Sequence, residues 1–290
     1  MIYASAPGKL NLFFEVGPLR PDGYHSVISI YQAMAIRQRV GVEPNAKWEV
    51  ITKGDLPQQQ LDLVPKNEKN LCVVAAKALA HYASIADPQP MRFHTHKQVP
   101  VAAGLAGGSA DAAASLLALN QAWELNLSDA ELRRVASQVG ADVPFALLGG
   151  TALGLDTGIE LEPLIALPTL HIVLLISPVG LSTREVFDKF DQMFPAGDMS
   201  VQPASAIEGV REGSQLGKNS LLAPALLLRP ELSEYQSLIG NTSGHLSGSG
   251  PTIYFCSQDA GQAADWASQL RKLGHFVIQT KTSNTGAHLE

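Results

Sequence analysis

The chain has 290 residues, 21 Lys plus Arg against 27 Asp plus Glu, and a net charge of −6. With 17% charged and 46% hydrophobic residues it is too apolar to be disordered and long enough for one large or two smaller domains. Its acidic balance argues against nucleic-acid binding, which needs clustered Lys and Arg. No apolar run reaches the roughly 18 residues that span a bilayer, and no basic segment followed by an apolar stretch opens the chain. Two cysteines, Cys72 and Cys256, are too few for a disulfide framework or a four-thiolate zinc site. A cytoplasmic protein with buried free thiols and no membrane partner is expected.

In chain order, residues 2–6, 10–16, 25–34 and 48–52 are rich in aromatic and β-branched side chains and predict strands, with Pro21-Asp22-Gly23 as a turn. Residues 53–69, with Gly54, Pro57, Pro65 and a run of glutamines, predict an exposed loop. Asn70 then caps a helix in which Leu71, Val74, Ala75, Ala78 and Tyr82 recur at helical spacing. A strand over 91–97 enters a Gly/Ala loop at 98–108, an Ala/Leu-rich helix follows over 109–123, and Ser128 with Glu131 forms the capping box of another. Further on, 170–177 predicts a buried strand and 183–194 and 231–239 predict helices. Short strands at 245–247 and 252–256 flank Gly248-Ser249-Gly250, ahead of a helix over 259–272 and a strand over 275–279. Leu289-Glu290 reads as a vector-derived tail with no part in the fold. Strands and helices come in runs, which favours an α+β fold. A division near residue 160 gives two lobes, 1–160 and 161–290, with a cleft between them.

The stretch from Pro100 to Ala113 is the most informative. Its small residues let backbone N–H groups approach a ligand, and it runs straight into a helix whose first N–H groups lack internal partners and whose dipole favours an anion. Ser109 adds a hydroxyl for a phosphate or a magnesium ion. Between Gln98 and Thr183 the only Lys or Arg residues are Arg133 and Arg134, so a polyphosphate held here is held by backbone amides. A Walker P-loop, a Gly-x-Gly-x-x-Gly fingerprint, protein-kinase motifs and a nucleophile elbow are all absent. His94 and His96 lack metal-ligand spacing with carboxylates or cysteines and are expected to be structural or exposed.

Three blocks together resemble the motifs of the GHMP kinases, the family of galacto-, homoserine, mevalonate and phosphomevalonate kinases. They are Pro7-Gly8-Lys9-Leu10-Asn11-Leu12, the loop at 104–113, and Leu246-Ser247-Gly248-Ser249-Gly250-Pro251. Asp22-Gly23-Tyr24-His25 with Ile30-Tyr31-Gln32, and Gly140-Ala141-Asp142-Val143-Pro144-Phe145, are similar to the members whose acceptor is a cytidine diphosphate-linked polyol on a route to isoprenoid precursors. Asn219-Ser220-Leu221-Leu222 and Leu228-Arg229-Pro230-Glu231-Leu232 extend the likeness, which covers roughly residues 4 to 280.

The resemblance implies a two-lobed α+β fold, an active site in the interlobe cleft, and transfer of the γ-phosphoryl group of ATP to an alcohol, with Mg²⁺ accompanying ATP. It makes Lys9 and Asp142 catalytic. Asp142 has apolar neighbours and needs a partner to stay ionised, which Lys9 supplies. Asp142 is also placed to cap a helix that begins at Val143-Pro144. ATP is assigned to Pro100, Val101, Ala102, Ala103, Gly104, Leu105, Ala106, Gly107, Gly108, Ser109 and Ala110. Asn11, on the same strand face as Lys9, joins Tyr24, His25, Thr183 and Phe187 in holding the acceptor, with His25 on the cytosine edge and Phe187 stacked on the base. Gly248, Ser249 and Gly250 form a turn supporting the nucleotide loop; no acidic pair stands out for the metal. Ala102, Ala103 and Ala106 stand where family glycines are common and Ala110 where a second serine is; a β-carbon restricts positive φ there. The alternatives are a homoserine- or mevalonate-type kinase, against which the Tyr24-His25 segment argues, and a catalytically dead nucleotide binder, against which Lys9 and Asp142 argue. A monomer or weak homodimer is expected.

Overall fold

The computed structural model describes residues 1–290. Its first sheet carries the order β11-β1-β2-β4-β3, built from β1 (Ile2–Leu19), β2 (His25–Pro44), β3 (Glu49–Gly54), β4 (Met91–Lys97) and β11 (His288–Leu289). A hairpin of β5 (Thr151–Leu155) and β6 (Glu160–Pro163) joins the far half of β2, Ser29 to Gln32. One face is covered by α2 (Leu71–Tyr82), α3 (Gly107–Ala122), α4 (Asp129–Val139) and α5 (Val143–Leu148). The second sheet, β10-β7-β9-β8, comprises β7 (His171–Ile176), β8 (His245–Leu246), β9 (Ile253–Ser257) and β10 (Phe276–Lys281). It packs with α6 (Thr183–Met193), α8 (Leu222–Leu228), α9 (Glu231–Ser237) and α10 (Ala260–Lys272), whereas α7 (Pro203–Glu212) lies against β1, β2 and β5 of the first sheet. The α+β, two-lobed fold class agrees with the sequence.

The helix boundaries that rested on caps hold. The Asn70 side chain accepts from the Cys72 N–H, and Ser128 and Glu131 form a capping box; Asp259, placed by sequence inside the last helix, is its N-cap and accepts from the Gly261 and Gln262 amides. Alanine lets α3 lie close to its neighbours: Ala110, Ala112, Ala113, Ala114 and Ala118 are fully buried against the first sheet and α2.

Several expectations need correction. The strands expected at 2–6 and 10–16 are one strand, β1, and Pro7-Gly8-Lys9 is absorbed as an irregularity in its pairing with β2. The loop expected at 53–69 contains a one-turn helix, α1 (Gln58–Asp62). Neither the β5–β6 hairpin nor α7 and α8 was anticipated. The last residues do join the fold: Leu289 pairs opposite Ala4, and the Glu290 carboxylate meets the Arg39 guanidinium. Cys72 is buried but Cys256 only partly so; burial pushes their thiols up to about 12 and about 11 respectively. His94 and His96 pair with Glu43 and Asp55 at the surface. No helix is long and apolar enough to cross a membrane.

The β1–β2 hairpin spans both lobes. Its first half lies in the core under α2–α5, while Phe14, Val16 and Val27 are buried among side chains of α6, α8 and α10. Lys9 and Asn11 sit where that hairpin passes from one lobe to the other.

Candidate active site

A cavity of about 1140 Å³ lies between the lobes, and most of the residues singled out by sequence line it. Register shifts in β1 between Pro7 and Lys9 and between Asn11 and Phe13 bracket its two polar side chains. Such bulges re-aim side chains; here Lys9 and Asn11 reach the cavity from a strand that is otherwise core. The Lys9 ammonium donates to Asn11 Oδ1 at 2.7 Å, and Asn11 Nδ2 donates to Ser29 Oγ at 2.8 Å. Asn11, expected to bind the acceptor, lines the cavity and is 3% exposed, with one bond on each end of its amide. Gly248 comes from the other lobe against this pair. A Cβ there would stand 3.1 Å from Lys9 Nζ and 3.2 Å from Asn11 Oδ1, so glycine is required for the approach as well as for its φ of +57°.

Asp142 occupies the position before α5, but its carboxylate makes no capping bond. Its Oδ2 lies 3.7 Å from Lys9 Nζ, with the Lys9 side chain 7% exposed and that of Asp142 29%. The pairing expected between distant segments is therefore formed, and the carboxylate remains accessible from the cavity. Tyr31, a lining residue that sequence reasoning did not assign to the site, stands beside them. Its ring lies 5.8 Å from Lys9 Nζ and stacks on Phe145 at 5.0 Å. Burial, and then the charge of Asp142, push its phenol well above the usual range, so it lines the site as a neutral group.

The loop from β4 to α3 forms another wall. Pro100, Ala102, Ala103, Gly104, Ala106, Gly107, Gly108 and Ser109 line the cavity, whereas Val101, Leu105 and Ala110 do not. Leu105 and Ala110 are core side chains with 0% exposure, and Val101 donates its N–H to Gln60 Oε1 of α1 at 2.8 Å. No side chain caps α3, so the N–H groups of its first turn, from Gly107 onward, are left for a ligand. Two of the alanines at family glycine positions, Ala102 and Ala106, take φ of +51° and +57°; Ala103 and Ala110 avoid that region.

The Gly248–Gly250 turn and the preceding Ser247 lie against the loop. Ser247 Oγ donates to the Gly104 carbonyl at 3.1 Å, and a Cβ on Gly104 would stand 2.2 Å from the Ser247 carbonyl oxygen. Ser249 reaches toward α6 instead, its hydroxyl 2.9 Å from that of Thr183. Gly250 does not line the cavity.

The far end is aromatic. Tyr24 is 64% exposed, while His25 is buried with its ring 5.2 Å from that of Phe187 on α6. His25 Nδ1 donates to the Gly17 carbonyl at 2.8 Å, and Nε2 lies 3.2 Å from Asp191 Oδ1. Neither ring nitrogen is left unengaged, so Asp191 belongs with His25; nothing in the sequence marked it. Helix α6 also presents Thr183, Arg184 and Asp188 to the cavity, and Lys9 and Arg184 are its only lining Lys or Arg residues.

A central cavity walled by an uncapped helix terminus and a Lys–Asp pair defines a small-molecule kinase site, and residues 70–150 match the model described as the GHMP kinases N terminal domain. The chain is 36% identical to the 4-diphosphocytidyl-2-C-methyl-D-erythritol kinase of Paenarthrobacter aurescens (strain TC1), over 99% of this chain and 95% of that one. To the kinase of the same name from Arthrobacter sp. (strain FB24) it is 40% identical, over 99% and 94%. A crystal structure of 4-(cytidine 5'-diphospho)-2C-methyl-D-erythritol kinase superposes with a TM-score of 0.77 at 29% identity, covering 97% of this chain and 99% of that one. The chain belongs to the 4-diphosphocytidyl-2-C-methyl-D-erythritol kinase family.

Proposed function

We infer that the protein transfers the γ-phosphoryl group of ATP to the 2-hydroxyl of 4-diphosphocytidyl-2-C-methyl-D-erythritol, a step of the non-mevalonate route to isoprenoid precursors. The observation that carries this reading is the Lys9–Asp142 pair, 3.7 Å apart, in one cavity with the α3 terminus and the aromatic end. Asp142 takes the proton of the attacking hydroxyl. Lys9, oriented by Asn11, keeps that carboxylate ionised and stabilises charge on the transferring group. The triphosphate lies on the loop, against the Gly107, Gly108 and Ser109 amides. The cytosine packs between Tyr24 and Phe187, and its edge meets the His25–Asp191 pair.

No cluster of three His, Cys, Asp or Glu side chains able to hold a metal is present. A magnesium ion arriving on ATP needs only one or two protein oxygens, and the Ser109 hydroxyl at the start of α3 on the cavity wall would offer one. Held there, the ion would supply neutralisation of phosphate charge.

The test is ATP turnover with the cytidylated polyol, homoserine and mevalonate in parallel. Turnover is expected with the first alone; turnover confined to a non-cytidylated alcohol contradicts this reading.

A further inference from the structure

Gln38, in the middle of β2, is fully buried and does not line the cavity. The β2–β4 ladder ends with Arg39 opposite His96, so the next amides of the departing chain have no strand partner. Gln38 Oε1 accepts from two of them, Gln98 N at 2.8 Å and Val99 N at 3.2 Å. Its Nε2 donates to the carbonyl of Gly107, the first residue of α3, at 3.3 Å. One side-chain amide therefore ties both ends of the nucleotide loop. The mouth it closes is tight, because a Cβ on Gly107 would stand 3.0 Å from the Val99 carbonyl oxygen. A second buried tether spans the same ends: the Lys97 ammonium pairs with the Asp111 carboxylate and lies 3.4 Å from the Gly107 carbonyl.

We propose that Gln38 is a positioning residue for ATP, acting through the loop without touching the nucleotide. The loop between its contacts holds Ala102 and Ala106 in the left-handed region, which L-residues leave when free to do so. Tying the ends keeps the loop in the form that turns its amides toward the cavity. Only a neutral primary amide does this, since the site needs an acceptor for two N–H groups and a donor for one carbonyl. A glutamate lacks the donor and a methionine lacks both.

This proposal rests on the reading of the loop as the ATP site, and the experiment separates the two. In Gln38→Met, KM for ATP is expected to rise at least about tenfold, the low end of the scale for losing two or three neutral hydrogen bonds, with KM for the cytidylated polyol within about twofold. Gln38→Glu, which keeps the volume and the acceptor, is expected to fall between wild type and Gln38→Met, and decides the matter should the methionine variant not fold. An unchanged KM for ATP in the folded variants, or equal rises in both KM values, overturns the proposal. In the wild type without nucleotide, the Gln98 and Val99 amides should resist hydrogen exchange; free exchange of both also overturns it. Added ATP should slow exchange at Gly107–Ser109, and a wild type without that protection overturns the loop reading and this proposal together.

Discussion

Ala106 carries a conformation that its side chain opposes. It is the residue before α3, with φ +57° and ψ +32°, where an L-residue costs on the order of 1 kcal/mol relative to glycine. The sequence showed alanine in place of glycine; that the backbone would stay left-handed, rather than relax as at Ala103, depends on contacts no local pattern records. Ala106→Gly is expected to stabilise the protein by about 1 kcal/mol, read as a rise in Tm, without raising KM for ATP. A lower Tm would mean that the β-carbon contributes packing that outweighs the strain. Asn11 teaches a similar lesson. Its spacing from Lys9 put both on one face, but only the geometry shows that its amide accepts from Lys9 and donates to Ser29.

Among elements, β1 does the most joining. At its far end the fully buried Glu15 accepts from Lys218 Nζ at 2.6 Å, Ser200 N at 3.2 Å, Ser200 Oγ at 3.1 Å and Val201 N at 3.0 Å, tying the approaches to α7 and α8 to the hairpin. Burial pulls this carboxyl up, but the Lys218 hydrogen bond and the two amides outweigh it and hold it below the usual 4.5. A depressed folded value stabilises the fold above the unfolded value, and that contribution is lost as pH falls through the folded one. Glu15→Gln should therefore cost about 1–3 kcal/mol at neutral pH, with the Tm gap to wild type narrowing as pH drops below 4.5. A gap of constant size from neutral pH into that acid range would contradict this account. Elements with their own caps, such as α2 and α4, were legible in sequence. The β5–β6 hairpin was not: Gly154 weakens its strand pattern, yet Tyr31 demands it, because a Cβ there would lie 2.4 Å from the ring. Helix α8 is short and carries no side-chain cap, whereas α7 opens on Pro203 and ends at a left-handed Gly213, a pattern too brief to stand out in the sequence.

At the scale of the molecule, the site is assembled from segments far apart in the chain: Lys9 on β1, the loop before α3, Asp142 before α5, Phe187 on α6 and Gly248 after β8. The resemblance to GHMP kinases made the Lys9–Asp142 pair and the loop legible. It gave Tyr31 no role although Ile30-Tyr31-Gln32 is part of the likeness, and it left out Asp191 and Gln38, whose partners lie across the fold and leave no motif. The net charge of −6 is compatible with two polyphosphate ligands because helix-terminal amides, rather than a basic surface, face the cavity.

The central claim is that Asp142 accepts the proton of the acceptor hydroxyl beside Lys9, and the most direct measurement is single turnover of Asp142→Asn with ATP and the cytidylated polyol, alongside ATP affinity. The rate constant is expected to fall by about 10²–10⁴, with ATP affinity within a few-fold of wild type. A variant that turns over at the wild-type rate would remove Asp142 from the chemistry and contradict the account.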